Sequence, residues 1–277
     1  MPAIRTGARA TVIALTDGAG AFFQPRQQAF PDASAEHWRA ADTLDPAAVT
    51  TDRRWWLRFR CFAIRLTGGR TVLVDTGIGP AGSPASGWAP VPGDLPAELA
   101  AAGIDPAGVT AVVLTHLHTD HVGWAVTEHR PFFGNARYLL QRAEHDALDQ
   151  AAAGLREALI DPLRASGQLS LVDGDSELAT GVRVVATPGH TPGHQSVLVD
   201  TGDELVAVAG DLLVHAVQLV DPELRYALEV DPDAARTSRA ALLAELVSRG
   251  GLLATAHLSE PFLAPATPTG WAPARPR

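Results

Sequence analysis

Four side chains able to ligate a metal, His116, His118, Asp120 and His121, fall within six residues. Such groups repel one another or remain unsatisfied unless something cationic pairs them, so a metal ion is the economical reading. Imidazole and carboxylate suit zinc, iron, manganese or cobalt, and the His-x-His alternation sets two imidazoles on one side of an extended turn. Asp120 and His121 are then free to address a second position nearby. A solvated histidine-rich loop is the plain alternative, but three of the chain's ten histidines in six positions is too concentrated for it. The run Thr187-Pro188-Gly189-His190-Thr191-Pro192-Gly193-His194 adds two more histidines on a turn whose prolines and glycines fix the backbone and admit close approach to an ion. One of the two is expected to be a ligand. Asp211, after the apolar run Leu205 to Gly210, and His257, late in the chain, are further candidates. Taken singly, such an aspartate is more often a turn or cap residue, and His257 carries the same ambiguity.

Composition narrows the chemistry around this cluster. A formal charge of −9 offers no basic footprint for nucleic acid or an anionic membrane, which points to a small-molecule substrate. The chain contains no lysine, so neither a Schiff-base lysine nor a P-loop lysine is available. The single cysteine, Cys61, lies in an apolar alternating run and reads as a core residue. Neither a signal peptide nor a membrane span is legible, and a cytoplasmic protein is expected.

The elements that must position these side chains are short. Strands are predicted at Arg9–Leu15, Trp55–Leu66, Thr71–Asp75, Ala111–Leu114, Arg137–Leu140, Leu169–Val172, Val182–Val185, Ser196–Val199, Glu204–Ala209 and Gly251–Thr255. The four from Leu169 to Ala209 are expected to pair antiparallel. Thr16 to Asp52 reads as a long aromatic-bearing loop and Gly77 to Pro96 as another. Helices are predicted over Leu95–Ala102, closed by Gly103, and over Arg142 to about Arg164, interrupted near Gly154 and Pro162. The strongest helix is Pro232–Arg249, with Asp231 at its N-cap and Gly250 at its exit. The Pro- and Ala-rich tail, 261–277, reads as an extended surface segment. Many short strands with interspersed helices suggest two mixed sheets face to face under outer helices, although composition alone admits other α/β or α+β layouts.

In order along the chain, Val74-Asp75-Thr76-Gly77, His116-x-His118-x-Asp120-His121, Thr187-Pro188-Gly189-His190, Gly210-Asp211 and His257 resemble the motifs of the metallo-β-lactamase superfamily. The resemblance implies an αββα sandwich forming a single domain over 1–277, with two related halves of about 1–165 and 166–260. It further implies a dinuclear site holding two divalent ions, zinc before iron, manganese or cobalt. His116, His118 and His190 would hold one ion, Asp120, His121 and His257 the other, and Asp211 would bridge them. Asp75 would steady a ligand imidazole from behind, while His194 and His215 stay unassigned. His37, His129 and His145 read as surface or structural histidines.

On that reading the ions activate water as hydroxide, Asp120 orients it and shuttles its proton, and no protein nucleophile is required. Within the superfamily, Trp55-Trp56, Leu114-Thr115-His116, Gly210-Asp211-Leu212-Leu213 and Ala256-His257-Leu258 look most like the lactonase and organophosphate (methyl parathion-type) hydrolase branch. A lactone or ester substrate, as for a quorum-signal lactonase or arylesterase, is therefore expected ahead of a phosphotriester. A β-lactamase is disfavoured, since no cysteine stands near Asp211. An iron oxidoreductase of the persulfide dioxygenase type and a non-enzymatic metal-stabilised binder are the remaining rivals. Trp55, Trp56, Trp88, Trp124, Phe22 and Phe23 are candidates for an apolar substrate pocket. The resemblance also implies a homodimer, without naming an interface.

Overall fold

A computed structural model describes residues 2–148, 153–267 and 270–275. The first sheet takes β1 (Ile4–Thr6), β2 (Ala10–Ala21), β3 (Trp56–Leu66), β4 (Thr71–Val74) and β5 (Val109–Val113). Past the small ribbon β6 (Val126–Thr127) and β7 (Arg130–Pro131), it continues with β8 (Arg137–Gln141) and β9 (Leu169–Val172). The second sheet runs through β10 (Ser176–Ala179), β11 (Val182–Ala186), β12 (Gln195–Asp200), β13 (Leu205–Val208), β14 (Leu252–Ala254), β15 (Phe262–Thr267) and β16 (Gly270–Pro273). Period-two alternation builds the sandwich: along β2, Val12 and Ala14 face the second sheet, while Ile13 and Leu15 face the outer helices. Inward residues of the second sheet, such as Val184, Val197 and Val206, complete the central layer.

Outer helices cover both sheets. α1 (Arg26–Ala29), α2 (Ala35–Leu44), α7 (Val217–Val220) and α8 (Pro232–Arg249) lie on the second sheet's side. On the first sheet's side are α3 (Leu95–Ala101), α4 (Arg142–Asp146), α5 (Ala153–Leu155) and α6 (Asp161–Ala165). The result is the expected αββα sandwich of two mixed sheets. Asp231 caps α8 by accepting from the Ala234 N–H at 3.0 Å, and Gly250 leaves it at φ +60°, a left-handed exit suited to glycine. Among the described residues, no helix is long and apolar enough to cross a membrane.

Four local expectations need correction. The stretch 16–52 is not one long loop: β2 runs on to Ala21 past a bulge at Thr16/Gly18, and α2 follows, with Ser34 accepting at its cap from the His37 N–H. β9 pairs in parallel with β8, not antiparallel with the strands after it. The tail is no loose surface segment, because β15 joins the edge of β14 and buries Phe262 and Leu263. The helix predicted from Arg142 to about Arg164 ends first at Asp146, and its stretch 149–152 lies outside the described residues. From Ala153 it continues through a π turn (Arg156–Ile160) that takes it past Pro162, whose missing N–H a regular ladder could not absorb.

Candidate metal centre

Strands β4 and β5 are parallel, as are β13 and β14, so the chain leaves both pairs at one edge of the sandwich. Asp75 follows β4, the His116–His121 loop follows β5, Asp211 follows β13, and His257 follows β14. The turn between β11 and β12 brings His190 to the same edge. Ligand atoms of His116, His118, His190 and Asp211 lie within 4.8 Å of one another, and those of Asp120, His121 and His257 form a second such group. Asp211 spans the two: its Oδ2 is 3.2 Å from His190 Nε2, and its Oδ1 is 3.2 Å from His121 Nε2 and 2.9 Å from His257 Nε2.

This donor set fits divalent ions. His116 Nε2 is buried without a hydrogen-bond partner, and His121 Nε2 and His257 Nε2 both converge on Asp211 Oδ1, an arrangement costly in a protein core unless a cation completes it. His118 Nδ1 and His190 Nε2 point at each other across 3.0 Å, as converging ligand nitrogens do. Burial and the neighbouring imidazoles of His121 and His118 hold His116 well below the usual histidine range, and burial with His190 brings His118 down to about 3. Both rings are therefore neutral and able to ligate. Burial opposes the charge on Asp211, but His257 and His121 outweigh it and keep the carboxyl well below its usual range.

Side chains that are not candidate ligands lock the site. Asp75, at φ +59°, accepts from Thr115 N–H and Thr115 Oγ1–H, both at 2.8 Å, and lies 2.8 Å from His121 Nδ1. With its own proton committed to Asp75, Thr115 Oγ1 accepts from His116 Nδ1 at 3.0 Å. His116 is thus held with Nε2 bare and facing inward, and the contact with Asp75 fixes the orientation of the His121 ring. His194, unassigned from sequence, is buried among these groups. Its Nδ1 donates toward Thr187, and its Nε2 accepts the Asp211 N–H at 3.0 Å. His194 thereby orients the carboxylate common to both groups. Gly189 lies so close to α8, at φ +132°, that a Cβ would stand 2.0 Å from Ala235 N; only glycine allows the His190 turn this approach.

Among the buried charged residues that escaped the sequence reading, three hold the loops of the site. Glu144 Oε1 accepts the Leu117 N–H at 3.0 Å and its Oε2 accepts the Gly193 N–H at 2.9 Å, tying the first histidine loop to the second. Arg60 donates to the carbonyls of Leu258 and Ser259 beside His257, whose Nδ1 donates to Arg58 O at 2.8 Å. Arg239 donates to Leu212 O at 3.0 Å, next to Asp211. Only a charged residue inside an apolar stretch could have flagged any of them. His215 stands apart from the metal groups, its ring centroid 5.6, 5.5 and 5.4 Å from those of Phe30, Trp38 and Trp55.

Over the centre opens a cavity of about 250 Å³ lined by Phe22, Phe23, Trp55, Trp88, Val214 and Tyr226, with Asp120, Asp211 and His257 at its polar end. Of the six aromatic candidates, Trp56 and Trp124 do not line it; the Trp124 indole instead donates to buried Asp17 at 3.0 Å. Tyr226 was missed. It stacks on His190 at 5.9 Å and 11°, from a position far along the chain.

Residues 60–257 match the family described as the metallo-beta-lactamase superfamily, and the chain belongs to that superfamily. It is similar to an N-acyl homoserine lactonase of Bacillus sp, 35% identical over 99 residues, a stretch covering 36% of this chain and 36% of that protein. An N-acyl homoserine lactonase AttM of Azorhizobium caulinodans is 41% identical over 115 residues, covering 37% and 40%. The matched stretches thus span well under half of these relatives. Among solved structures, the hydrolase AbOPH of the beta lactamase superfamily superposes with a TM-score of 0.82 at 25% identity, over 99% of this chain and 97% of that one. AidC, a dizinc quorum-quenching lactonase, shares the fold with a TM-score of 0.78 at 22% identity, over 99% and 98%.

Proposed function

We propose that this chain is a dinuclear metal-dependent hydrolase of uncharged lactones or esters carrying an apolar chain or ring. One observation carries the reading: two ligand groups share Asp211 at the polar end of an aromatic cavity. His116, His118 and His190 would hold one divalent ion, Asp120, His121 and His257 the other, with Asp211 between; zinc suits this nitrogen and oxygen set best. Such a pair of ions supplies an acidified water and polarises the electrophilic oxygen when bound. The Asp120 carboxylate, 3.6 Å from both His121 Nε2 and His257 Nε2, is the group placed to orient the attacking water and take its proton. Phe22, Trp55 and Trp88 would exclude bulk water and hold the apolar part of the substrate. The lactonase names of the relatives agree with this substrate class.

Charge narrows the class further. The chain has no lysine, and among the described residues no arginine lines the cavity, so a substrate carboxylate or phosphodiester would find no side-chain counter-ion there. The test is metal analysis alongside turnover of γ-lactones, aryl esters, phosphotriesters and β-lactams, with chelator controls. Near two zinc ions per chain and chelator-sensitive turnover of neutral lactones or esters is expected, with both metal and turnover lost in His118→Ala. Preferred phosphotriester turnover would move the assignment to an organophosphate hydrolase. Iron with oxygen-dependent thiol chemistry would replace hydrolysis altogether.

A further inference from the structure

One stretch, residues 212–229, supplies Val214, Tyr226 and Leu228 to the cavity lining and yet contains only the four-residue helix α7. A turn-rich segment like this has no ladder of its own to hold it. A buried ion pair holds it instead. The guanidinium of Arg239, fully buried on α8, donates to Pro222 O at 2.9 Å, Leu212 O at 3.0 Å, Leu224 O at 3.3 Å and Glu229 Oε1 at 2.8 Å. Glu229 Oε2 accepts the Tyr226 N–H at 3.2 Å, and Gln218, 3.4 Å from Glu229, accepts the Val214 N–H at 2.9 Å. Leu228 is the neighbour of Glu229. Past it, Val230 and Asp231 donate to the carbonyls of His190 and Gly189 at 3.2 and 2.9 Å.

Stability alone does not account for such a pair, since well-packed apolar residues often serve a core as well as, or better than, buried ions. We propose that Arg239 and Glu229 are positioning residues for the substrate chain. They keep Val214, Tyr226 and Leu228 as a rigid wall that sets how long an apolar chain the cavity accepts. The proposal rests on reading this cavity as the substrate site.

The decisive variant is the double substitution Arg239→Met with Glu229→Leu, which removes both charges together and leaves neither uncompensated. It is expected to fold and retain its metal stoichiometry. Its preference for a decanoyl over a butyryl lactone, as kcat/KM, should fall about tenfold, mainly through KM, the scale of one or two mispositioned methylene contacts. A readout independent of turnover is the change in Trp55 and Trp88 fluorescence on adding octanamide or butanamide, whose affinity ratio should fall in parallel. Should the double variant not fold, amide exchange in the wild-type protein decides, with Arg239→Lys as the milder perturbation. The Val214 and Tyr226 amides should exchange as slowly as those of α8, and faster in the lysine variant. An unchanged chain-length ratio in the folded double variant, or open-turn exchange in the wild type, overturns the proposal. Altered octanamide binding without hydrolysis of any substrate would support the positioning role and sink the hydrolase reading.

Discussion

Two buried histidines outside the candidate ligand set show how little residue type says about role. His194 is surrounded by candidate ligands yet holds a backbone N–H, so His194→Ala is expected to keep both ions at saturating metal but weaken affinity about tenfold to a hundredfold, as losses of supporting partners do. Equilibrium dialysis against zinc measures this; loss of one full equivalent would make His194 a ligand. His215 accepts the Val217 N–H at 3.0 Å, and burial, with Arg26 nearby, brings it down to about 3 from an ordinary 6.5. Between those values the unfolded chain binds the proton and the folded chain does not, so acidification destabilises the fold by up to ~1.4 kcal/mol per pH unit. His215→Asn keeps an acceptor and removes the titration. Urea midpoints for this variant should therefore fall less steeply than wild type between pH 6.5 and 4.5, and parallel slopes would refute the assignment.

At the scale of elements, the ligand loops are held by charges donated from elsewhere in the fold. Glu144 on α4 joins two loops through backbone N–H groups 27 and 49 residues away. Glu144→Ala should cost ~3 kcal/mol by urea denaturation, for two hydrogen bonds to a charged acceptor, and should weaken metal binding because the loops are no longer tied. Glu144→Gln should fall between, since one of its two terminal atoms is no acceptor. Equal stability and metal affinity in all three proteins would show that the clamp is idle. Asp17 organises the other wall in the same manner: it takes the N–H groups of Ile78 and Leu95 at 2.6 Å, despite burial that raises its carboxyl. Those contacts hold the loop that carries Trp88, whose indole donates to Thr119 at 3.0 Å.

Across the whole molecule, the candidate centre joins two sheets that otherwise meet through an apolar layer. His116, His118, Asp120 and His121 come from the first sheet's side, and His190, Asp211 and His257 from the second. Removing metal leaves buried imidazoles and carboxylates facing one another, so chelation should lower Tm by about 10 °C or more, the size expected for a ligand bound about a thousandfold above its Kd. Calorimetry with and without chelator measures it. A Tm indifferent to metal would mean that the folded chain binds the ions no better than the unfolded one, and would sink the metal centre.

The sequence by itself determined what is local. His116 to His121 are neighbours in the chain, and the 18-residue helix α8 has its cap and exit glycine in its own flanks, so type and spacing suffice to read them. The tertiary structure decided whatever depends on distant backbone. That β15 pairs with β14, that Phe22 and Tyr226 share a cavity, and that Glu144 and Arg239 clamp loops rather than sit at the surface are consequences of packing. A carboxylate or guanidinium bonded to a distant carbonyl or N–H leaves no periodicity or spacing in its own neighbourhood. Its partner is selected only when the sheets close and water is no longer there to satisfy it.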